Sequence, residues 1–182
     1  MGRGRSMGKN ICRTFFRRRL PDGGHRQHNC SSSSTCSRRP KKEGDQGIGK
    51  SRGGSTTKIH TLTEASGNLV HFRLTGGHRH DSTQALELID GIWARYFLAD
   101  KAYDSLEIRN AIEARHGEVV IPSHPTRRVQ RSIDKEIYKA RNRIERFFCR
   151  LKDYRRIATR YDKLARNFAA FILIVSAIVC RD

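Results

Sequence analysis

Acidic residues are scarce in this sequence, and that shortage sets its charge. There are 18 Asp and Glu residues against 37 Lys and Arg residues, which gives a formal net charge of +19 at pH 7. A field of this sign gathers polyanions and binds DNA or RNA phosphates regardless of base sequence. The alternatives are an anionic membrane surface and a plain excess of solvated charge. The composition favours a nucleic-acid partner.

Long apolar runs and a secretory leader are also missing. The longest apolar run covers 13 residues, 168–180, which is too short to cross a bilayer and suits a buried helix. The basic N-terminus is not followed by the apolar stretch of a secretory signal. We therefore expect a cytoplasmic protein with no membrane partner.

Cysteine is sparse, with five residues and no CxxC pair. This spacing argues against a disulfide framework and a zinc ribbon, so we expect reduced thiols. A metal cluster can still be imagined in the N-terminal part, from His25, His28, Cys30 and Cys36. A second one, in His78-x-His80-Asp81, is outweighed by a loop that leads into a capped helix.

Residues 1–40 differ in composition from the rest of the chain. Arg, Ser, Gly and Cys dominate there, apolar residues are sparse, and neither a helical nor a strand period is visible. Such a segment buries too little apolar surface to offset the entropy lost on ordering. We predict a disordered basic segment over residues 1–40 and one folded domain over residues 41–182.

From Lys41 onward the sequence alternates between strand and helix patterns. We predict a hairpin of residues 55–62 and 69–74, a helix from Asp81 or Ser82 to Gly91, a strand at 96–99, a helix from Asp104 or Ser105 to Gly117, a strand at 118–121, and helices at about 135–154 and 164–180. A basic, irregular stretch fills residues 123–131. This order of elements predicts an α/β domain with a mixed sheet.

Asp100 is the first candidate functional residue, because it ends the apolar strand in the segment LADKAY. Ligands bind at the carboxyl ends of strands in open α/β sheets, where a rigid backbone can aim a carboxylate out of the sheet. A turn or helix-capping aspartate is an equally common occupant of this position. Position alone leaves the two interpretations balanced.

Glu145 is the second candidate. The predicted helix carries Tyr138, Arg141, Glu145, Phe148 and Lys152 at spacings of 3, 4, 3 and 4, so these residues share one stripe. An apolar stripe adjoins it, which puts the glutamate beside the core. Such a carboxylate can hold a metal while its basic neighbours hold phosphate. An exposed i,i+4 ion pair between Arg141 and Glu145, worth about a few tenths of a kcal/mol, is the simpler alternative.

The same residues match a known pattern. Tyr138-x2-Arg141-x3-Glu145-x6-Lys152 resembles the Y-R-E-K signature of insertion-sequence DDE transposases, and Asp100-Lys-Ala102-Tyr103 resembles their D-x-G/A-Y/F motif. The segments GKSRGGSTTKIH, LTGGHRHD, VIPS and RNRIERFFCRLKDYRRIATRYDK are also similar to that family, in its order, over residues 41–182. Four residues at the right spacing plus the aspartate motif make a specific resemblance.

The resemblance implies a ribonuclease-H-like fold, a mixed sheet with flanking helices, in which two aspartates and a glutamate bind two Mg2+ (or Mn2+) ions. Asp100 and Glu145 would be the second and third carboxylates, as catalytic residues and metal ligands. Paired hard cations can activate an attacking oxygen and stabilise a leaving one in phosphoryl transfer. The implied reaction is cleavage at transposon ends and strand transfer into target DNA.

The resemblance also implies residues that bind DNA. Tyr138, Arg141 and Lys152 match the family positions near the scissile phosphate, whereas Arg52, Lys58 and the arginines between 127 and 160 would follow the DNA backbone. For any single one of these, a solvated face is the alternative. The implied partners are transposon-end and target DNA, with a homo-oligomer or a full-length transposase.

The family's first catalytic aspartate has no counterpart here. In the family it lies on the first strand, ahead of the region that begins here at Lys41. The only acidic residue before Lys41 is Asp22, in a Pro-Asp-Gly-Gly turn. We therefore predict that the first strand is missing, that the hairpin has an open edge, and that this chain alone has little strand-transfer activity.

A shift in reading frame would explain the missing aspartate. Shifted by one nucleotide, with permitted synonymous codons, residues 25–37 can read as the family phrase Ile-Asp-Ser-Thr-Ile-Val-Arg-Ala-His-Gln-His-Ala, and residues 7–12 as Trp-Glu-Lys-Ile-Phe. The hypothesis is that residues 1–40 are transposase DNA translated out of frame, with the junction near Lys41-Lys42. The alternative function is a non-catalytic DNA-binding transposase remnant. A basic structural or RNA-binding protein would predict neither motif.

Overall fold

The computed structural model describes residues 12–21, 44–51 and 54–180, which form a six-stranded sheet flanked by helices. The strands are β1 (Cys12–Pro21), β2 (Gly49–Ser51), β3 (Gly54–Thr63), β4 (Leu69–Gly76), β5 (Tyr96–Ala99) and β6 (Glu118–Val120). The helices are α1 (Ser82–Ile89), α2 (Leu106–Glu113), α3 (Lys135–Lys139), α4 (Asn142–Asp153), α5 (Arg155–Ala158) and α6 (Ala165–Val179). A 3-10 turn, Lys101–Tyr103, follows β5.

The sheet joins an antiparallel part to a parallel part, which confirms the predicted mixed α/β fold. β3 pairs antiparallel with β1, β2 and β4, whereas β5 runs parallel to β1 and to β6. The predicted hairpin is β3 and β4, closed by a turn in which the Gly67 amide donates to the Glu64 carbonyl. Since β5 and β6 are parallel, the segments that follow them leave the sheet at the same edge.

β1 corrects the prediction that the first strand is missing, and for residues 12–21 it also corrects the prediction of a segment without regular structure. It lies between β3 and β5 and covers the edge of the hairpin that was expected to be open. A strand in that position gains backbone hydrogen bonds on both sides, and this gain overrides a basic composition. The segment contains Thr14, Phe15 and Phe16, residue types that are common in strands. The predictions on Asp22 and on the cluster from His25 to Cys36 lie outside the described residues.

The single helix predicted at about 135–154 is two helices, α3 and α4. At their junction the amides of Ala140, Arg141 and Arg143 donate three residues back, to Ile137, Tyr138 and Ala140. Such bonds tighten the chain and change the rotation between successive side chains. No glycine or proline in this segment signals the break. The predicted stripe therefore spans two helices, with Tyr138 on α3 and Glu145 on α4.

Hydrophobic clusters cover both faces of the sheet. One cluster joins α1 and α2 to Phe97 and Ala99, and another joins α4, α5 and α6 to Ile59. Leu98, which lies between Phe97 and Ala99 on β5, packs on the opposite face with Val120 and Tyr138. This alternation along β5 is what orients the residue that follows it.

α6 is the buried apolar helix predicted from the run at 168–180. Phe168, Ile172 and Val175 on its inner side are buried, whereas Leu173 and Ile174 are exposed. Within the described ranges, no helix combines the length and apolar character needed to span a bilayer.

Candidate active site

Asp100 follows β5 directly, in extended backbone that leads into the 3-10 turn. Its carbonyl accepts a hydrogen bond from the Tyr103 amide (2.9 Å), but its side chain makes no capping hydrogen bond. The alternative of a helix-capping aspartate therefore has no support in the side-chain contacts. The carboxylate of Asp100 is half-buried and does not serve as a helix cap.

The alternation of β5 directs Asp100 toward α3 and α4. Phe97 and Ala99 pack against α1 and α2, whereas Leu98 packs with Tyr138 of α3 on the other face. Because successive side chains of extended backbone point to opposite faces, Asp100 shares the face of Leu98. This is also the face on which α4 packs.

Glu145 lies in the first turn of α4, close to the junction with α3. Its Oε1 is 2.7 Å from Nη2 of Arg141, and 41% of its side chain is exposed. The predicted simpler alternative, an i,i+4 ion pair, is therefore present in the structure. The Arg141 guanidinium also lies 5.5 Å from the centre of the Tyr138 ring, so Arg141 contacts both residues.

The ionisation of the Tyr138 phenol responds to the charges of Arg141, Asp100 and Glu145. Burial raises the pKa of Tyr138 above its ordinary value; Arg141 lowers this pKa, and the negative charges of Asp100 and Glu145 raise it further. Both carboxylates are thus near enough to one phenol to change its ionisation. A strand end, a helix junction and a helix bring together residues that are up to 45 positions apart in the sequence.

The site offers part of a divalent-cation site. Carboxylate oxygens are the ligands that Mg2+ prefers, and Asp100 and Glu145 supply two such groups. In the part of the chain that the structure describes, no group of three or more His, Cys, Asp or Glu side chains could hold a metal ion. The alternative site around His78 and His80 is not formed there, because both histidines are exposed and Asp81 is buried against Lys58.

The structure argues against Lys58 as a DNA ligand, which corrects that prediction. Only 4% of its side chain is exposed, and its Nζ lies 3.2 Å from Oδ1 of the buried Asp81. Nζ also donates to the Arg79 carbonyl. Because the Lys58 ammonium is paired in the interior, it is not accessible to a DNA phosphate. The alternation in residues 55–62 predicted a strand, but it did not predict which side chains of that strand are buried.

The other predicted DNA ligands lie in different places. Tyr138 and Arg141 are half-buried beside the Asp100–Glu145 pair, and Lys152 is exposed in the last turn of α4. Arg52 lies outside the described residues. Two of the predicted ligands are therefore at the candidate site, and a third lies about two helical turns from Glu145.

Asp104 is a residue whose importance the sequence did not reveal, since it was interpreted as a possible helix cap. Its side chain is 3% exposed and pairs with Arg109 (2.8 Å) and Arg127 (3.2 Å). Burial would raise its pKa, but hydrogen bonds from the His124 amide and from Arg109, with that of Arg127, hold the pKa of Asp104 below its ordinary value. No local signal in the sequence indicates this role, because Arg127 lies 23 positions after Asp104.

Solved structures of transposases are similar at a low level. The Mos1 transposase paired-end complex with left transposon end shares 14% identity and a TM-score of 0.38, covering 91% of this chain and 55% of that chain. The Mos1 mariner paired-end complex with Mn shares 12% identity and a TM-score of 0.38, covering 91% and 53%. This chain spans about half the length of those proteins. At such scores the likeness supports no conclusion about the site.

Sequence relatives give a firmer result. A Brucella ovis protein named as a transposase for insertion sequence element IS6501 is 36% identical over 126 residues, which cover 68% of this chain and 97% of that protein. A Burkholderia cepacia protein named as a transposase for insertion sequence element IS402 is 31% identical over 151 residues, 76% of this chain and 68% of that protein. The family described as "Transposase DDE domain" matches residues 30–180, beginning upstream of the predicted boundary at Lys41. The chain belongs to the transposase DDE domain family, in its insertion-sequence branch.

Proposed function

We propose that this chain acts in DNA transposition by transposase-type cleavage and transfer of DNA strands, through two-metal phosphoryl transfer, and that its activity alone is weak. The observation that supports this most directly is that Arg141 contacts both Glu145 and the Tyr138 ring, while the charges of Asp100 and Glu145 both raise the pKa of Tyr138. Two carboxylates, an arginine and a phenol in one region of the surface suit a reaction at a phosphodiester. The residue spacing supports the Y-R-E-K group, and the strand pairing supports a ribonuclease-H-like sheet.

Each residue of the site has a proposed task. Asp100 and Glu145 are the catalytic residues that would hold Mg2+ or Mn2+, and a bound pair of such ions would supply activation of the attacking oxygen and stabilisation of the leaving oxygen. Arg141, already oriented by Glu145 and the Tyr138 ring, donates N–H groups to phosphate oxygens. Tyr138 keeps its proton near neutral pH, because its pKa is raised, and can donate a hydrogen bond. Lys152 holds a phosphate farther along the DNA.

The weakness of the activity follows from a missing carboxylate. β1 runs parallel to β5, and its residue Phe15 is opposite Ala99, the residue that precedes Asp100. The strand CRTFFRRRLP contains no acidic residue. We infer that two carboxylates replace the three of the family and bind divalent ions weakly. The out-of-frame hypothesis for residues 1–40 fails if no synonymous codon choice upstream of codon 41 encodes Asp-Ser-Thr.

A non-catalytic DNA-binding transposase remnant is the second candidate function. It is favoured by the observation that no third acidic, His or Cys side chain joins Asp100 and Glu145 among the described residues. Such a protein keeps the basic surface and would bind transposon ends without cutting them. It could act as a homo-oligomer, or inhibit a full-length transposase by occupying the same DNA. In either case we place the protein at the nucleoid, in the cytoplasm.

Binding of Mn2+ separates the two functions. We expect Mn2+ to broaden NMR signals of residues around Asp100 and Glu145, with an affinity in about the millimolar range because the ligand set is incomplete. Asp100→Asn and Glu145→Gln should each abolish the broadening, whereas the control Asp90→Asn, at an exposed acid elsewhere, should not change it. Broadening that persists in both site variants would contradict the assignment as an enzyme and would favour the non-catalytic DNA-binding remnant.

Activity is tested on an oligonucleotide carrying a terminal repeat of the element. With Mg2+ we expect at most a trace of nicked product, and more with Mn2+, which accepts imperfect geometry more readily. Any product should disappear with Glu145→Gln. Efficient Mg2+-dependent cleavage by the chain alone would contradict the proposed impairment while supporting the chemistry.

A further inference from the structure

The loop of residues 123–131 is anchored by Asp104, which directly follows the 3-10 turn after Asp100. β5 and β6 are parallel neighbours, so the segments that follow them leave the sheet at the same edge. Asp104, in the segment after β5, reaches the segment after β6. This contact links the candidate site to a stretch that contains three arginines and, from residue 119 to residue 133, no acidic residue.

Asp104 uses both of its carboxylate oxygens in this link. Oδ1 accepts from Nε of Arg109 at 2.8 Å, and Oδ2 accepts from the His124 amide at 2.8 Å and from Nε of Arg127 at 3.2 Å. Arg127 also donates to the Asp104 carbonyl at 3.0 Å, and Arg109 donates to the Ile121 carbonyl at 2.7 Å. A buried carboxylate with charged donors makes strong hydrogen bonds, so the start of the loop is held firmly.

The loop is also closed on itself. The Arg131 amide donates to Oγ of Ser123 at 3.0 Å. The side-chain amide of Gln130 donates to the carbonyls of His124 and Arg127. These bonds fix the far end of the loop against its beginning, so its outward side chains have a defined place.

Two arginines point outward from this anchored loop. Arg128 and Arg131 are exposed, and their guanidinium groups make no ion pair or hydrogen bond with residues of the described part of the chain. Val129 lies between them in the sequence and is 72% exposed. They border one depression with Leu106, which is also exposed. Like charges held close together in a rigid loop repel, and a bound polyanion removes that cost.

We propose that loop 123–131 is a binding subsite for the DNA backbone, in which Arg128 and Arg131 bind phosphates, and that Asp104, four residues after Asp100, is the positioning residue that anchors this subsite. The identity of the ligand rests on the proposed function. Guanidinium groups bind phosphate oxygens in a bidentate manner, and Val129 can contact a sugar or a base edge. The anchor would keep these contacts at a fixed distance from the reacting phosphate.

A pair of charge-matched variants tests the anchor. Asp104→Asn and Asp90→Asn each remove one negative charge, and Asp90 forms only an exposed pair with Arg115. Charge alone would make both variants bind DNA more tightly. If Asp104 positions the loop, Asp104→Asn should instead weaken binding to a short duplex at least about threefold, in EDTA and at fixed salt. Asp90→Asn should bind as the unchanged protein does, or slightly more tightly.

A second variant tests the subsite without touching the anchor. Arg128→Gln combined with Arg131→Gln should lower the slope of log Kd against log salt by about 2, one for each lost phosphate contact. Arg115→Gln combined with Arg95→Gln, the second at an exposed arginine that directly precedes β5, is the control for the loss of two charges elsewhere and should change the slope less. In the Arg128→Gln/Arg131→Gln background, Asp104→Asn should no longer weaken binding, whereas a purely structural role would weaken it in either background.

The outcomes separate the possible failures. An unchanged salt slope for the double loop variant, or tighter binding by a folded Asp104→Asn, would overturn the subsite. If Asp104→Asn does not fold, the double loop variant decides alone, because both of its side chains are exposed. Absence of DNA binding by the unchanged protein would instead refute the proposed function, and loss of cleavage alone would leave the subsite intact.

Discussion

Buried charges at single residues decide more of this structure than the sequence suggests. Lys58 and Asp81 form an ion pair whose side chains are 4% and 8% exposed, inside a protein with an excess of positive charge. Burying both ions costs solvation, and the pair repays it only while both members are present. The residue that looked like a DNA contact is therefore better understood as part of the interior.

Lys58→Met tests this structural role. We expect the substitution to lower the free energy of unfolding by about 3–5 kcal/mol, because it leaves the Asp81 carboxylate buried without its cation. Denaturation in urea, analysed at constant m, measures the change. Adding Asp81→Leu should recover much of the loss, since an apolar pair replaces the ionic one.

Lys139 provides the matched control for Lys58. It pairs with Glu136, but the two side chains are 72% and 79% exposed, so Lys139→Met should cost at most about 1 kcal/mol. If Lys58→Met unfolds no more readily than this control yet loses affinity for DNA, Lys58 is a phosphate ligand after all.

At the residue scale the sequence predicted the types of functional residue better than their surroundings. Asp100 was proposed from its place at a strand end and Arg141 and Glu145 from their spacing, and the structure pairs Arg141 with Glu145. Asp104 could not be recognised, because its partners Arg109 and Arg127 lie 5 and 23 positions away and only folding brings them together. Motif spacing carries local information, whereas ion pairs between loops depend on topology.

At the scale of elements, strong periodic segments were predictable and context-dependent ones were not. The strand β5 has the bounds that the sequence predicted, and α6 differs by about a residue at each end. β1 was missed, because its pairing with two neighbouring strands is a long-range effect. The junction of α3 and α4 was missed because nothing local requires it: the bonds tighten without a glycine or a proline.

The two sides of α6 allow a matched comparison. Ile172 is fully buried and Ile174, two residues on, is 59% exposed. We expect Ile172→Ala to cost about 2–5 kcal/mol, the loss of a buried side chain plus a cavity, and Ile174→Ala to change stability by about 0.5 kcal/mol or less. Thermal and urea unfolding at low protein concentration measure both. Equal costs for the two variants would mean that the outer side of α6 is covered in solution.

At the scale of the whole molecule, the net charge of +19 gives folding and DNA binding opposite responses to salt. Without DNA, like charges repel more strongly in the folded chain than in the extended unfolded chain, so screening should stabilise the folded state. With DNA, salt weakens binding to the folded state and removes the stabilisation that a bound ligand provides. Added salt is therefore expected to stabilise the protein alone and to destabilise the protein bound to DNA.

We expect the melting temperature to rise between 50 and 500 mM NaCl for the protein alone, and to fall over the same range with an excess of short duplex DNA, both by about a few degrees or more. Differential scanning fluorimetry in EDTA measures both curves, and sucrose, a neutral stabiliser, should raise both. The curves should converge at high salt, where DNA no longer binds. A melting temperature that falls with salt in the absence of DNA would mean that ion pairs such as Arg156–Asp162 outweigh the net repulsion. In that case the positive charge would not destabilise the free protein, and DNA binding would not relieve such a destabilisation.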